Sequence, residues 1–122
     1  MSLKERIKEI RNHFGLTQKK FGERLDVSRG VVAKWEIGDV EPDAMALGKI
    51  HDRLGTDLDW LKYGVGDMFG NPDDELQASI DLIVTGKNDS RKSLIKKIVS
   101  LPDDEIDIFE RFLDSWEKGR GH

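Results

Sequence analysis

Two helix-start signals stand so close together in residues 16 to 38, LTQKKFGERLDVSRGVVAKWEIG, that the chain between them has almost no freedom. Thr17 can cap one helix carrying Phe21 and Leu25, and Ser28 another carrying Val32 and Trp35, because a short hydroxyl side chain accepts from the free amides of a first turn. Gly38 ends the second. Only Asp26 and Val27 remain for the connection. Two short helices joined so tightly must turn sharply, which is the helix-turn-helix arrangement.

The flanking sequence builds a small helical domain around that pair. Ser2 and Glu5 have capping-box spacing, Leu3, Ile7, Ile10 and Phe14 stripe one helix face, and Gly15 closes the helix. Pro42 suits the first turn of a fourth helix with Met45, Leu47, Ile50 and Leu54 as apolar positions and Gly55 as its stop. Thr56, with Asp59 three residues on, suggests a fifth, TDLDWLKYG, pinned by Leu58, Trp60 and Leu61. Five short helices thus complete a domain over residues 1–64.

Beyond it, VGDMFGNP punctuates a linker, residues 65–89, that holds a possible helix. Leu76, Ile80, Ile83 and Val84 follow helical spacing up to Gly86, while SIDLIVT also suits a short strand, so both readings stand for 76–84. In residues 90–118 the pattern is helical again. Leu94, Ile95, Ile98, Val99 and Leu101 stripe one helix, Pro102 breaks the chain, and Ile106, Phe109, Phe112, Leu113 and Trp116 stripe another. Asp103, Asp104 and Glu105 stand at the start of that last helix, where its dipole favours negative charge. The fold class is therefore all-α.

The composition weighs against several functions. With no cysteine there is no disulfide framework, thiol nucleophile or Cys-based metal site. His13, His51 and His122 lack metal-ligand spacing, and no phosphate-cradling glycine loop or nucleophile constellation occurs, so neither an enzyme nor a cofactor or metal site is expected. No apolar run could span a bilayer or serve as a signal peptide, and a soluble, cytoplasmic chain is expected. The opening MSL and the final Gly121 and His122 are given no functional role.

A formal net charge of -4 argues against binding nucleic acid by bulk charge, yet the charge is uneven. Residues 1–64 carry 12 basic against 11 acidic side chains, and the remainder 8 against 13, so a local basic face in the first half is compatible with the total.

Residues 3–64 resemble the DNA-binding domain of the phage repressor/Cro family of helix-turn-helix regulators. The resemblance rests on Phe21, Gly22 and Leu25 in the first motif helix, on Val27, Val32 and Trp35, on LTQ before the motif, WE-x-G at its end, and the closing Leu54-Gly55 and Trp60-Leu61. It implies a five-helix repressor-like domain followed by a helical C-terminal oligomerisation segment. It further implies that Gly22 is small because the two motif helices cross there, and that Arg11 pairs with Glu36.

In the docking mode of such motifs the second helix enters the major groove, which places Ser28, Arg29, Gly30, Val31 and Lys34 on the DNA side. Arg29 has the guanidinium fork that matches guanine O6 and N7, Val31 suits a thymine methyl, and Lys34 a second base or a phosphate. Gln18 matches a position that contacts phosphate or braces the reading residues, with Lys19 and Lys20 as nearby charges. Three positions depart from the family pattern: Asp26 stands where the turn usually has glycine, Ile37 where a polar contact is common, and GDVEPD where many relatives carry phosphate-binding bases.

The expected function is a sequence-specific DNA-binding transcriptional regulator, a repressor, binding double-stranded DNA at a pseudo-palindromic operator as a homodimer. Ile106, Phe109, Phe112, Leu113 and Trp116 are its expected oligomerisation seam. A second reading folds that seam back on the first domain, and a third docks it on a different protein, an antirepressor or partner. The rival reading is an antitoxin or accessory factor whose acidic C-terminal helices bind a partner protein.

Overall fold

The computed structural model describes residues 1–120, and among them every regular element is an α-helix. His122, one of the three histidines weighed as a metal ligand, lies outside the described residues. The chain forms two compact units, the first from Met1 to Leu82 and the second from Ile83 onward. No helix among the described residues is long and apolar enough to cross a membrane.

In the first unit, α1 (Leu3–His13) begins with the predicted capping box: Ser2 Oγ donates to Glu5 Oε1 at 2.8 Å and the Ser2 amide to the same oxygen at 3.4 Å. Those bonds hold the Glu5 carboxyl below its ordinary value. Ile7 and Ile10 are fully buried, with Leu3 and Phe14 packed at the edge of the core. Arg6 is also buried, which the apolar stripe did not foretell. Its Nε donates to Leu61 O at 2.9 Å and Nη2 to Lys62 O at 3.1 Å, and Nη1 bonds Met1 O, so the guanidinium satisfies carbonyls on two parts of the chain.

Helices α2 (Gln18–Leu25) and α3 (Arg29–Ile37) follow, with Thr17 Oγ1 accepting from Lys20 N at 3.1 Å and Ser28 Oγ from Val31 N at 3.3 Å. Phe21, Leu25 and Val32 are fully buried and Trp35 nearly so. Each such side chain contributes roughly 1.5–3 kcal/mol by leaving water.

Helix α4 (Ala44–Leu54) corrects two expectations. Pro42 was predicted to open it, but Asp43 is the cap, accepting from Ala46 N at 2.8 Å, and Pro42 is buried just ahead of it. Met45 was predicted to face the core and is 72% exposed; Ala46, Leu47, Ile50 and Leu54 are buried instead. The reason is angular: Met45 lies roughly 200° around the helix from Leu47, so both cannot point inward.

Helix α5 (Leu58–Tyr63) is likewise capped by Asp57, which accepts from Trp60 N at 3.0 Å, and not started by Thr56, which is fully buried. Trp60 and Leu61 join the core of this unit, while Leu58 is only half-buried.

The segment after Gly64 is tied down at several points. Met68 O accepts from Asp57 N at 2.7 Å, and Phe69 sits edge-on to Phe14 with ring centroids 5.9 Å apart. It leads into α6 (Pro72–Thr85), a helix throughout 76–84, which settles the choice between helix and strand. Glu75 Oε1 lies 2.8 Å from His13 Nε2, and Ala78 is buried. Gly55 is what lets this helix start close by: in the left-handed conformation at φ 72°, its missing Cβ would stand 2.5 Å from Asp74 O.

The second unit holds α7 (Asp89–Val99), capped by Asn88 Oδ1 accepting from Arg91 N at 3.0 Å, and α8 (Asp103–Gly119), which starts behind Pro102. Neither helix has a buried residue.

Candidate nucleic-acid interface

The interface is organised by how closely α2 and α3 cross. A Cβ on Gly22 would stand 2.6 Å from Val27 O and 3.3 Å from Ser28 O, both backbone atoms that cannot swing aside. Any larger side chain there must push α3 off α2. The connection turns at Asp26, whose φ of 58° makes it the non-glycine residue in the left-handed region among the described residues.

Side chains from α4 brace that turn. Arg53 Nη1 donates to Asp26 Oδ2 and to Arg24 O, both at 2.8 Å; Lys49 Nζ reaches Leu25 O at 3.5 Å and Asp26 Oδ2 at 3.8 Å. The Arg53 hydrogen bond and charge, with Lys49 behind them, hold the Asp26 carboxyl below its ordinary value. Sequence reasoning missed Lys49 and Arg53. The signal was the carboxylate itself, a charged residue at a glycine position, but nothing in the spacing pointed 27 residues along the chain to its partner.

At the other end of α3, Arg11 and Glu36 form the bidentate pair that the resemblance implied: Nε to Oε2 at 2.8 Å and Nη2 to Oε1 at 2.9 Å, with Glu36 almost wholly buried. Arg11 Nη1 also donates to Leu16 O at 2.9 Å. The bond to Glu36 raises the Arg11 pKa further. Gln18 Nε2 donates to Glu36 Oε1 at 3.4 Å, so Gln18 belongs to this brace between α1, α2 and α3.

With Val32 and Trp35 turned inward, the opposite side of α3 is free. Ser28, Arg29, Gly30, Val31 and Lys34 are all exposed, as are Lys19 and Lys20 on α2. Gly30, Val31 and Lys34 fall within one face at i, i+1 and i+4, with Arg29 at its leading edge. The Ser28 hydroxyl is engaged as the helix cap. Gly30 differs from Gly22 in kind: a Cβ there meets only Ser28 Oγ at 3.8 Å, so nothing within this chain requires glycine.

The acidic loop after α3 divides in two. Asp43 is spent on the α4 cap, whereas Asp39 and Glu41 are exposed beside Ile37 and Val40, which are 65% and 48% exposed. Against the same loop, the Lys4 side chain lies 3.2 Å from where a Gly38 Cβ would be, bringing a cation to the C-terminal end of α3.

Comparison with known proteins bears on the family. The helix-turn-helix family matches residues 7–61. The chain is similar to the SPbeta prophage-derived uncharacterized HTH-type transcriptional regulator YonR of Bacillus subtilis, 32% identical over 84 residues that cover 69% of this chain and 76% of that one. It is also similar to the uncharacterized HTH-type transcriptional regulator YgzD of the same organism, 36% identical over 63 residues covering 49% of this chain and 96% of that one. A crystal structure of a transcriptional regulator from Listeria innocua overlays with a TM-score of 0.49 at 17% identity, covering 99% and 97% of the two chains.

Proposed function

The chain belongs to the phage repressor/Cro-like family of helix-turn-helix, DNA-binding transcriptional regulators, and we propose that it is a repressor that binds a pseudo-palindromic operator as a homodimer. The observation that carries this reading is the two-sided character of α3. One side is anchored by Val32, Trp35 and the Glu36 brace; the other leaves Arg29, Gly30, Val31 and Lys34 exposed.

On that reading, residues 1–64 are the DNA-binding part and 90–118 the oligomerisation part. Arg29 donates to guanine O6 and N7, Val31 packs on a thymine methyl, and Lys34 takes a second base or a phosphate. Lys19 and the amides at the start of α2 meet the backbone, and Gln18 holds the reading helix in register through Glu36. Few phosphates are neutralised by one domain, because Asp39 and Glu41 stand where further bases would help. Affinity then comes from joining two half-sites.

The exposed Asp39, Glu41, Ile37 and Val40 favour a second reading, in which this chain is an antitoxin or accessory factor that binds a protein. Selection from a random DNA pool at low and moderate salt separates the two. Recovery of a sequence with two related half-sites supports the repressor; no sequence-selective complex at either salt sinks it.

A further inference from the structure

The two helices of the second unit differ sharply in charge, and both leave an apolar stripe uncovered. Helix α7 carries Arg91, Lys92, Lys96 and Lys97 against Asp89. Its Leu94 and Ile98 are 57% and 41% exposed, with Arg91 and Lys97 along the two edges of the stripe. Helix α8 carries seven acidic side chains against Arg111 and Lys118. Its Ile106, Phe109, Leu113 and Trp116 follow a 3-4-3 spacing, the repeat of a two-helix seam, and the last three are between 46% and 56% exposed.

The residues flanking that seam decide what can cover it. At flanking positions stand Asp103, Glu105, Glu110 and Glu117, so two α8 helices laid together would bring acid against acid in either orientation. A basic helix with its own apolar stripe does not meet that repulsion. Such a helix is present in the same unit, and among the described residues no ion pair joins α7 to α8 within one chain.

We infer that the homodimer is heterotypic at the level of helices: α8 of each copy packs on α7 of the other, selected by opposite charge, and α8 does not pair with α8. This rests on the dimer proposed above and specifies its interface. Two equal contacts form about one twofold axis, each burying a Leu94/Ile98 stripe against a Phe109/Leu113/Trp116 stripe.

The test uses the full chain in a sedimentation concentration series, with helix content checked by circular dichroism. The unmodified protein should be a dimer that weakens as salt rises, whereas an α8–α8 interface would strengthen as its like charges are screened. Glu110→Lys with Glu117→Lys should weaken the dimer about tenfold or more, and Arg91→Glu with Lys97→Glu should do the same, while an equimolar mixture of the two variants should regain a dimer. If the α7 variant dimerises like the unmodified chain, this interface is wrong and the dimer itself stands. If the unmodified chain is a monomer throughout, the dimer proposal fails with it.

Discussion

Arg53 and Asp26, 27 residues apart, meet at 2.8 Å across the turn that sets the angle of α3, and the same Arg53 nitrogen takes up Arg24 O. The turn thus uses a tertiary ion pair to hold a left-handed aspartate where the family commonly has glycine.

Because the Asp26 carboxyl is held low, its pairing stabilises the fold above the ordinary aspartate range and is lost as pH falls through the depressed native value. Urea unfolding from about pH 7 down to about pH 3 should show a stability gap between the unmodified chain and Asp26→Asn that is constant above about pH 5 and closes below it. A gap that widens on acidification would contradict the pairing.

Gly22→Ala and Gly30→Ala should act in opposite directions. The first forces a Cβ to within 2.6 Å of Val27 O and should cost about 1–3 kcal/mol by overpacking, with loss of operator affinity. The second meets no obstacle within the chain and should stabilise α3 by up to about 1 kcal/mol. If Gly30→Ala also weakens DNA binding despite a higher melting temperature, the backbone at Gly30 lies against the DNA.

Removing one partner of the brace should be costly. Glu36→Ala takes the acceptor from Arg11 Nε and Nη2 and from the Gln18 amide and should lower stability by about 2–4 kcal/mol, less than a fully buried pair because Arg11 is partly exposed and keeps its bond to Leu16 O. Denaturant unfolding measures it. A change below about 0.5 kcal/mol would mark the pair as an ordinary surface contact.

Arg29→Ala should relax preference at one base pair of each half-site, costing about 1–3 kcal/mol there, with the fold unchanged. Competition binding with operators altered one position at a time locates that base pair. Unchanged selectivity would move the reading role to Lys34 or Val31.

Deleting residues 90–122 should leave a monomer by light scattering and reduce operator affinity much more than affinity for a single half-site. A truncated chain that still dimerises would place the contact in the remaining residues.

Much of this was legible in the sequence because it is local. Thr17, Ser28 and the Ser2–Glu5 pair announced three helix starts correctly, since a cap and its target amides lie within one turn. The starts of α4 and α5 slipped by a residue or two where Pro42 and Thr56 compete with Asp43 and Asp57 as starting signals. Only burial chose between them, since Thr56 is enclosed and Asp57 is free to turn toward Trp60 N.

The sequence by itself determined the helical class, the sharp α2–α3 connection and which α3 residues turn away from the core, because caps, turn length and a 3.6-residue period act between near neighbours. Only the tertiary structure put Arg53 and Lys49 on Asp26 and Gln18 on Glu36, and so completed what holds α3 at its angle; the Arg11–Glu36 pair and the small residue at Gly22 were already implied by the family resemblance. It also decided that Phe69 and Glu75 return to α1. The ion pairs and returning contacts join residues far apart in the chain, and no periodic pattern records which distant side chain a folded backbone will bring within 3 Å.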